Sequence, residues 1–221
     1  MMLLKVSSGS SSIDASCQEY VPGRARSHFY PTAKRCLDIV VVLASTPAVL
    51  LVLFIASAAI FLLEGGPVFF AQDRVGKGGR VFRIFKLRTM RPESRNEQIA
   101  TVRDDPRITT LGKFLRQSHI DELPQLWNIL RGHMSLIGPR PEQPALVGHY
   151  REKLPLYDLR HSVTPGLSGW AQVNYGYAAD LAETARKLDY DLEYVRNYGP
   201  KMDFVIVVKT FRIFLDPRFV R

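Results

Sequence analysis

Two adjacent carboxylates, Asp121 and Glu122, are the residues of this 221-residue chain whose position best suits chemistry. They open the stretch Asp-Glu-Leu-Pro-Gln, which reads as a first helical turn, where acidic side chains accept free backbone N–H groups and oppose the helix dipole. The same location keeps a carboxylate ionised, and a divalent cation strengthens that effect. An ionised aspartate can attack phosphorus covalently. Neighbours on a helix point about 100° apart, so the two carboxylates would have different roles. Helix capping and catalysis both remain open.

Cationic residues that could hold a phosphate near this pair occur in three places. Arg140 has a proline on either side, so its backbone is already extended and loses little entropy on binding. Its guanidinium can bind a phosphate through two hydrogen bonds. Arg116 precedes the acidic pair by five residues, and Lys86 and Arg88 share one face of a predicted strand. Each of these cations, taken alone, is better explained as a solvated surface residue.

A third candidate feature is the alternation of Trp170, Gln172 and Asn174 along residues 169–175. In an extended segment these side chains share one face, which could stack on a nucleotide base and bind its edge. A strand that buries its tryptophan is an equally good interpretation.

The element that must position this chemistry is an apolar run, residues 39–63, which carries no charge. About 20 apolar helical residues span the ~30 Å hydrocarbon core of a bilayer. Both flanks are basic, whereas a single crossing usually has its Lys and Arg on one side. Pro47 lacks the N–H that continues a helix, and the hydroxyls of Ser45 and Thr46 can bond the groups that it frees. A kinked helix that crosses once and a helix-break-helix that returns to the same side are both open.

The remaining sequence predicts a mainly helical α+β domain with a short β-hairpin. Residues 68–70 begin a strand, and the glycines of residues 76–79 predict the turn to a second strand over 81–88. No Lys-Ser/Thr pair follows these glycines at the spacing of a phosphate loop. Thr109 or Thr110 caps a short helix. A second helix begins near Asp121, stops at Gly132, and is predicted to bury one face: Leu123, Leu126, Trp127 and Leu130.

Two further amphipathic helices follow near the end of the sequence. The first has apolar residues at helical spacing: Leu181, Leu188, Leu192 and Val195. The second has a longer apolar face with Lys and Arg at its margins: Phe204, Val207, Val208, Phe211, Phe214 and Leu215. The second pattern fits a core helix and a helix lying at the bilayer surface equally well.

Composition limits the classes of partner. The net charge of +9 fits phosphorylated substrates or anionic lipid headgroups. The charge is spread along the chain and is not interleaved with stacking aromatics, which argues against nucleic acid. Cys17 and Cys36 give no disulfide framework and indicate a reducing compartment. We predict a flexible tail over 1–33, a membrane-inserted helix over 34–64 and a further domain over 65–221, which carries the candidate catalytic residues.

An ordered set of motifs resembles the bacterial sugar transferase family, the monotopic polyprenyl-phosphate phosphoglycosyl transferases. Single motifs are weak, but their order along residues 31–219 is specific. The matching stretches are Lys34-Arg35-Cys36-Leu37-Asp38, Lys86-Leu87-Arg88-Thr89-Met90, Asp104-Asp105-Pro106-Arg107-Ile108-Thr109, Asp121-Glu122-Leu123-Pro124-Gln125-Leu126-Trp127-Asn128, Met134-Ser135-Leu136-Ile137-Gly138-Pro139-Arg140-Pro141-Glu142 and Thr164-Pro165-Gly166-Leu167-Ser168-Gly169-Trp170-Ala171-Gln172-Val173-Asn174.

The resemblance implies a two-step transfer at a cytoplasmic membrane surface. Asp121 would attack the β-phosphorus of a UDP-sugar and expel UMP, and undecaprenyl phosphate would then accept the sugar-phosphate. Mg²⁺ would screen the diphosphate, and Glu122, with Asp121, would help to hold the metal or would take a proton. The cations named above would hold phosphates. Family members enter the inner membrane by a re-entrant helix, so Thr46 and Pro47 would be its hinge.

Several points stay open at the level of sequence. Glucose or galactose is the favoured sugar, with an N-acetylated sugar as the alternative. A non-catalytic basic scaffold for a polysaccharide assembly complex, and a glycosyltransferase that releases UDP, are competing functions. A homo-oligomer is compatible with the sequence. His119 and His133 replace the hydroxyl and the acid that are usual in the resembled family, and neither is assigned a role.

Overall fold

The computed structural model describes residues 29–91, 105–175 and 180–215, the last two residues by their backbone alone, so most of the predicted tail lies outside the described residues. The described chain is mainly helical, as predicted. Its helices are α1 Tyr30–Glu64, α2 Thr110–Gln117, α3 Leu126–Leu130, α4 Pro144–Lys153, α5 Trp170–Asn174, α6 Leu181–Arg196 and α7 Pro200–Leu215. Its strands are β1 Phe69–Val75, β2 Val81–Leu87, β3 Ser135–Ile137 and β4 Gly166–Ser168, and short 3-10 helices cover Ile120–Gln125 and Tyr157–Ser162.

The predicted β-hairpin is confirmed. β1 pairs antiparallel with β2, from Phe69 opposite Leu87 to Val75 opposite Val81. Gly78 and Gly79 have positive φ angles in the turn, a conformation that glycine adopts without steric cost. A second small sheet pairs β3 with β4 in parallel.

Helix α1 is one 35-residue helix that runs through Pro47, instead of the predicted two helices with a break between them. The hydroxyls of Ser45 and Thr46 both donate to the Val42 carbonyl, at 3.0 and 2.8 Å. These bonds lie at the predicted turn, but the carbonyl that Pro47 leaves without an N–H is that of Leu43, four residues before it, and not that of Val42. A proline removes only one N–H, so helical backbone continues on both sides.

The first half of α1 is bound to the rest of the chain. Arg35 donates to the carbonyls of Ile129 and Leu130 at the end of α3. The Asp38 carboxylate accepts the Leu136 N–H at 3.2 Å. Val42 is buried in an apolar cluster with three other buried side chains: Ile84, Ile129 and Met134.

The second half of α1 is bound to the same body. Ala56 and Ile60 are buried against Leu87 of β2 and Leu115 of α2. Arg88 then donates to the carbonyls of Glu64 and Gly65, at 3.0 and 2.8 Å, where the helix ends. Between the two attachments many apolar side chains of α1 are exposed, among them Phe54, which is 73% exposed.

The residues after His119 follow a different helical phase from the predicted one. The chain forms a 3-10 helix over Ile120–Gln125 before α3 begins. A 3-10 helix turns 120° per residue and an α-helix 100°, so six residues rotate the buried face well away from a purely α-helical register. Pro124, Gln125, Asn128 and Ile129 are therefore buried, and Trp127, predicted to be buried, is 51% exposed.

The other predicted helices form near their expected positions. Thr109 caps α2, as predicted, by accepting the Gly112 N–H at 2.9 Å, and Phe114 of this helix is exposed. Leu188, Leu192 and Val195 of α6 are buried as predicted. In α7, Ile206 is buried, whereas other apolar side chains face outward: Phe204, Val207 and Phe211. That exposure favours the surface-helix interpretation of α7 over the core-helix one.

The parallel pair β3–β4 generates a stability prediction, because Gly138 and Gly166 bring two backbones into direct contact. A Cβ on Gly166 would lie 2.0 Å from the Gly138 nitrogen, which no rotamer change can relieve. We expect Gly166→Ala to lower the free energy of unfolding by about 3 kcal/mol, measured by chemical denaturation in detergent. Gly148→Ala is the control, because its Cβ would meet nothing within 4 Å on α4, and it should be neutral or slightly stabilising. Equal effects of the two substitutions would contradict this account.

Candidate active site

A tight turn at His119 places the acidic pair. His119 has a positive φ of 56°, and its N–H donates to the Arg116 carbonyl at 3.2 Å. The chain thereby leaves α2 and starts the 3-10 helix that carries Asp121 and Glu122. The sequence predicted that Asp121 lies in the first turn of an α-helix, whereas the structure places it in a 3-10 turn.

Glu122 lies between two cations. Its Oε1 accepts Lys86 Nζ at 2.7 Å, and its carboxylate binds both terminal nitrogens of Arg140, Nη1 reaching Oε2 at 3.2 Å. Burial alone raises the pKa of Glu122, but Arg140 and Lys86 more than offset it, so this pKa lies well below its usual range. Two of the predicted phosphate-binding cations and one of the predicted carboxylates therefore meet in one cluster.

The neighbouring Asp121 has the opposite electrostatic situation. Its side chain is 6% exposed, and its carboxylate accepts no hydrogen bond from the residues that the structure describes. Burial raises the pKa of Asp121; the Lys86 charge opposes the rise and the Glu122 charge adds to it. The sequence argument from a helix N-terminus pointed the other way. The pair thus combines one carboxylate held by cations with one that is free to react.

Arg116, the third predicted cation, also faces this cluster. Its Nε donates to the Thr89 hydroxyl at 2.8 Å, which fixes the side chain beside the end of the hairpin. Burial lowers the pKa of Arg116, and the charge of Asp121 is the largest influence in the other direction. The guanidinium still stays protonated, because its ordinary pKa lies far above neutrality.

The segment that carries Arg140 is fixed through four successive carbonyls. The carbonyl of residue 139 accepts the Gly166 N–H at 3.0 Å, and that of Arg140 accepts Arg160 Nη2 at 2.8 Å. The carbonyl of residue 141 accepts Arg74 Nη1 at 3.1 Å, and that of residue 142 accepts the Val75 N–H at 2.9 Å. The flanking prolines predicted an extended backbone here, and these bonds hold it in one position.

Sequence reasoning missed the charged residues that bind residues 139–142 from the side of α6. Glu142 accepts Lys187 at 2.7 Å, and Arg160 pairs with the buried Asp191. A signal was present, since Lys187 and Asp191 directly precede Leu188 and Leu192 on the buried side of α6. Charges on an apolar helix face predict buried partners.

Arg88 points away from the acidic pair. It is 6% exposed and, as described above, donates to the carbonyls of Glu64 and Gly65, with Glu64 Oε2 at 3.6 Å. Lys86 and Arg88 were predicted to share one face of the strand. β2 ends at Leu87, however, so Arg88 lies beyond the pleat that would align the two.

Trp170 and Gln172 lie on helix α5, so the predicted extended face is wrong. Trp170 donates its indole N–H to Glu193 at 2.7 Å, and Lys209 lies 4.4 Å from its ring centre. Gln172 donates to the Leu167 carbonyl at 3.1 Å. Gly169, in an extended conformation just before this helix, lies against the Gly138 carbonyl, where a Cβ would be 2.3 Å away. The described contacts of Trp170 and Gln172 are therefore with α6, α7 and β4.

The acidic pair is a limited set of ligands for Mg²⁺. No group of three or more His, Cys, Asp or Glu side chains comes together within the described ranges. Glu122 is already neutralised by two cations, which leaves Asp121 as the available oxygen donor. Mg²⁺ usually keeps several waters and binds through one or two carboxylates together with substrate phosphates. The residues therefore fit a metal that is bound jointly with a diphosphate, and not an all-protein cage.

Comparison with known proteins gives consistent matches. A family model described as bacterial sugar transferase matches residues 29–217. A UDP-N-acetylgalactosamine-undecaprenyl-phosphate N-acetylgalactosaminephosphotransferase of Aeromonas hydrophila is 46% identical over 191 residues, covering 86% of this chain and 45% of that protein. A UDP-glucose:undecaprenyl-phosphate glucose-1-phosphate transferase of Xanthomonas campestris pv. campestris is 38% identical over 193 residues, covering 85% and 40%. Another protein of that name, from Caulobacter vibrioides, is 39% identical over 180 residues, covering 80% and 67%.

This chain thus spans less than half the length of the first two relatives. The matched region contains α1, the hairpin, the acidic pair and the Arg140 segment. The chain therefore belongs to the bacterial sugar transferase family.

Proposed function

We propose that this protein transfers a sugar-1-phosphate from a UDP-sugar to undecaprenyl phosphate and releases UMP. The observation that carries the proposal is the buried Asp121 carboxylate, which has no hydrogen-bond partner among the described residues and lies beside a cation-held Glu122. The names of the relatives supply the two substrates. The reaction is the first membrane step in the synthesis of an exopolysaccharide or glycoconjugate.

The transfer takes two displacements at one phosphorus. An Asp121 oxygen attacks the β-phosphorus, the bond to the bridging oxygen breaks, and UMP leaves with that oxygen and both electrons. The sugar-phosphate is then an acyl phosphate on Asp121. An oxygen of undecaprenyl phosphate attacks the same phosphorus, which forms a polyprenyl-diphosphate sugar and restores the carboxylate. Asp121 is thus the nucleophile of the first displacement and the leaving group of the second.

The cations around Glu122 bind the diphosphate. Lys86 and Arg140 offer donors that Glu122 holds in place, and Arg116 adds a positive charge on the Asp121 side. Such preorganised charges stabilise the negative charge that develops on the phosphate oxygens. Arg88 contributes indirectly, by holding the end of α1 against the hairpin.

Asp121 and the substrate diphosphate are the groups that would hold Mg²⁺, which when bound neutralises phosphate charge. Glu122 orients Lys86 and Arg140, and it would have to leave these two ion pairs to bind the metal. The sugar is a separate question, because the relatives named above act on UDP-N-acetylgalactosamine and on UDP-glucose. Glucose or galactose remains the prediction from sequence.

We infer further that α1 dips into the cytoplasmic leaflet of the inner membrane and returns to the same side. Both halves of α1 join buried clusters that include a side chain of β2: Val42 lies in the cluster of Ile84, and Ala56 lies in the cluster of Leu87. In a straight helix Val42 and Ala56 are about 21 Å apart. Ile84 and Leu87 are only about 10 Å apart along β2, so a bend at Pro47 helps α1 to reach both clusters. The exposed apolar side chains between the attachments would then lie in lipid.

The catalytic role of Asp121 is tested by UMP release. With a UDP-sugar, undecaprenyl phosphate and Mg²⁺, Asp121→Asn should lower the rate by about 1000-fold or more, because an amide is not a nucleophile toward phosphorus. Asp73→Asn, on the exposed face of the hairpin, is the control and should retain full activity. UMP release by Asp121→Asn at the wild-type rate would exclude the covalent role, and release of UDP would favour a different transferase class.

The acid limb of the pH profile gives a second prediction. Asp121 must be ionised to attack, and its pKa is raised by burial above 3.8, so kcat/KM should fall as the pH drops through this raised value. The nearby charge of Lys86 lowers the same pKa. In the residual activity of Lys86→Gln the acid limb should therefore move to higher pH. Lys77→Gln in the hairpin turn is the control, and an unshifted limb in Lys86→Gln would contradict the electrostatic account.

The topology of α1 can be tested by thiol labelling. Cys36 is exposed before the membrane segment, and Lys77 is exposed after it. In a Cys17→Ser background, an impermeant maleimide should label both Cys36 and a Lys77→Cys, Cys36→Ser variant in inverted vesicles and neither in intact cells. Labelling of the two positions from opposite sides would show that α1 crosses the bilayer.

A further inference from the structure

Beneath the Arg140 segment lies an ion pair that none of the chemistry above uses. Arg160 and Asp191 are 3% and 2% exposed, the most buried ion pair in the part of the chain that the structure describes. Arg160 Nε and Nη2 donate to Asp191 Oδ2 at 3.0 and 2.6 Å. Its Nη1 donates to the Tyr157 hydroxyl at 3.0 Å, and Nη2 also donates to the Arg140 carbonyl at 2.8 Å.

Stability alone is a weak reason for such a pair. Removing two charges from water costs free energy that their attraction barely recovers, and apolar residues of similar volume often stabilise a core as well. What an arginine offers in addition is a planar set of donors in fixed directions. Here those donors fix the backbone of Arg140 relative to a rigid helix.

Helix α6 holds the same segment at a second point. Lys187, one turn before Asp191, binds Glu142 at 2.7 Å. The carbonyl of Arg140 and the side chain of Glu142, two residues on, are therefore both fixed to one face of α6. The side chain of Arg140 extends from this support in the other direction, to Glu122.

We propose that Arg160 and Asp191 are positioning residues, which set where Arg140 presents its guanidinium to the diphosphate of the donor. The proposal rests on the proposed function for the identity of that ligand. Arg160 itself does not contact the substrate. The effect of Arg160 is transmitted through the peptide carbonyl of Arg140, so this effect should disappear when Arg140 itself is changed.

The test uses the full-length protein in detergent and two measurements: UMP release, and binding of UDP with Mg²⁺ by calorimetry. Arg160→Lys should lower kcat/KM for the UDP-sugar on the order of 100-fold, mainly through KM, and should weaken UDP binding, because small displacements of a binding group are costly. Tyr157→Phe removes one partner of Arg160 with the least risk to folding and should cost about fivefold. Arg151→Lys, in the exposed pair with Asp158, is the matched control and should change neither measurement.

A double-mutant cycle separates positioning from general destabilisation. In an Arg140→Lys background, Arg160→Lys should cost about threefold or less, because the two residues act through one contact. Losses that multiply across the two variants would identify a purely structural role and overturn the proposal. If wild-type protein binds UDP but releases no UMP, the proposed function fails, and the binding data still decide the positioning role. Wild-type protein that neither binds UDP nor releases UMP would overturn both.

Discussion

A carboxylate shared by two cations holds the centre of this molecule together. Lys86 comes from the hairpin, Glu122 from the 3-10 turn after α2, and Arg140 from the segment after β3. A charge in a part-buried position must find partners, because its desolvation is costly. The ion triad therefore brings three distant parts of the chain to one place, and the hairpin, the turn at His119 and the four fixed carbonyls of residues 139–142 all serve to keep it there.

The same triad explains why Asp121 is left free. Both hydrogen-bonding cations are occupied by Glu122, so Asp121 is influenced by their charge without being bound to them. Burial and cations then act on adjacent carboxylates with opposite net results. A carboxylate without a hydrogen-bond partner among the described residues and a carboxylate held by two cations can thus be neighbours in sequence, and the sequence alone does not distinguish them.

Local rules explain which parts of the fold were predictable. The glycines of residues 76–79 and the hydroxyl of Thr109 determine a turn and a cap through neighbours in sequence, and both predictions are confirmed. The buried face of residues 120–130 was mispredicted, because a 3-10 helix that contains Pro124 replaces an α-helical turn. Trp170 was mispredicted because residues 170–174 form a short helix, whose side chains bind elements distant in sequence, such as Glu193 of α6.

In the site, the acidic pair, Lys86, Arg116 and Arg140 could be picked out by residue type, and the structure brings all five residues together. Arg160 and Asp191 could not be paired in advance, since 31 residues separate them and only the folded chain joins them. The exposed Phe211 of α7 shows a different limit. A pattern of apolar residues indicates which side avoids water, but core and lipid satisfy it equally.

The two attachments of α1 have a consequence for the independence of the globular part. Val42 is part of the buried cluster that contains Ile84 and Ile129, and Ile60 is part of the cluster that contains Leu115. Arg35 also binds the end of α3, at the carbonyls seven and eight residues beyond Glu122. A fragment that starts after α1 would therefore lack part of its own core and the cap of a helix. Helix α1 and the globular part therefore pack as one unit, and a change around α1 is passed to the acidic pair through ordinary side-chain packing.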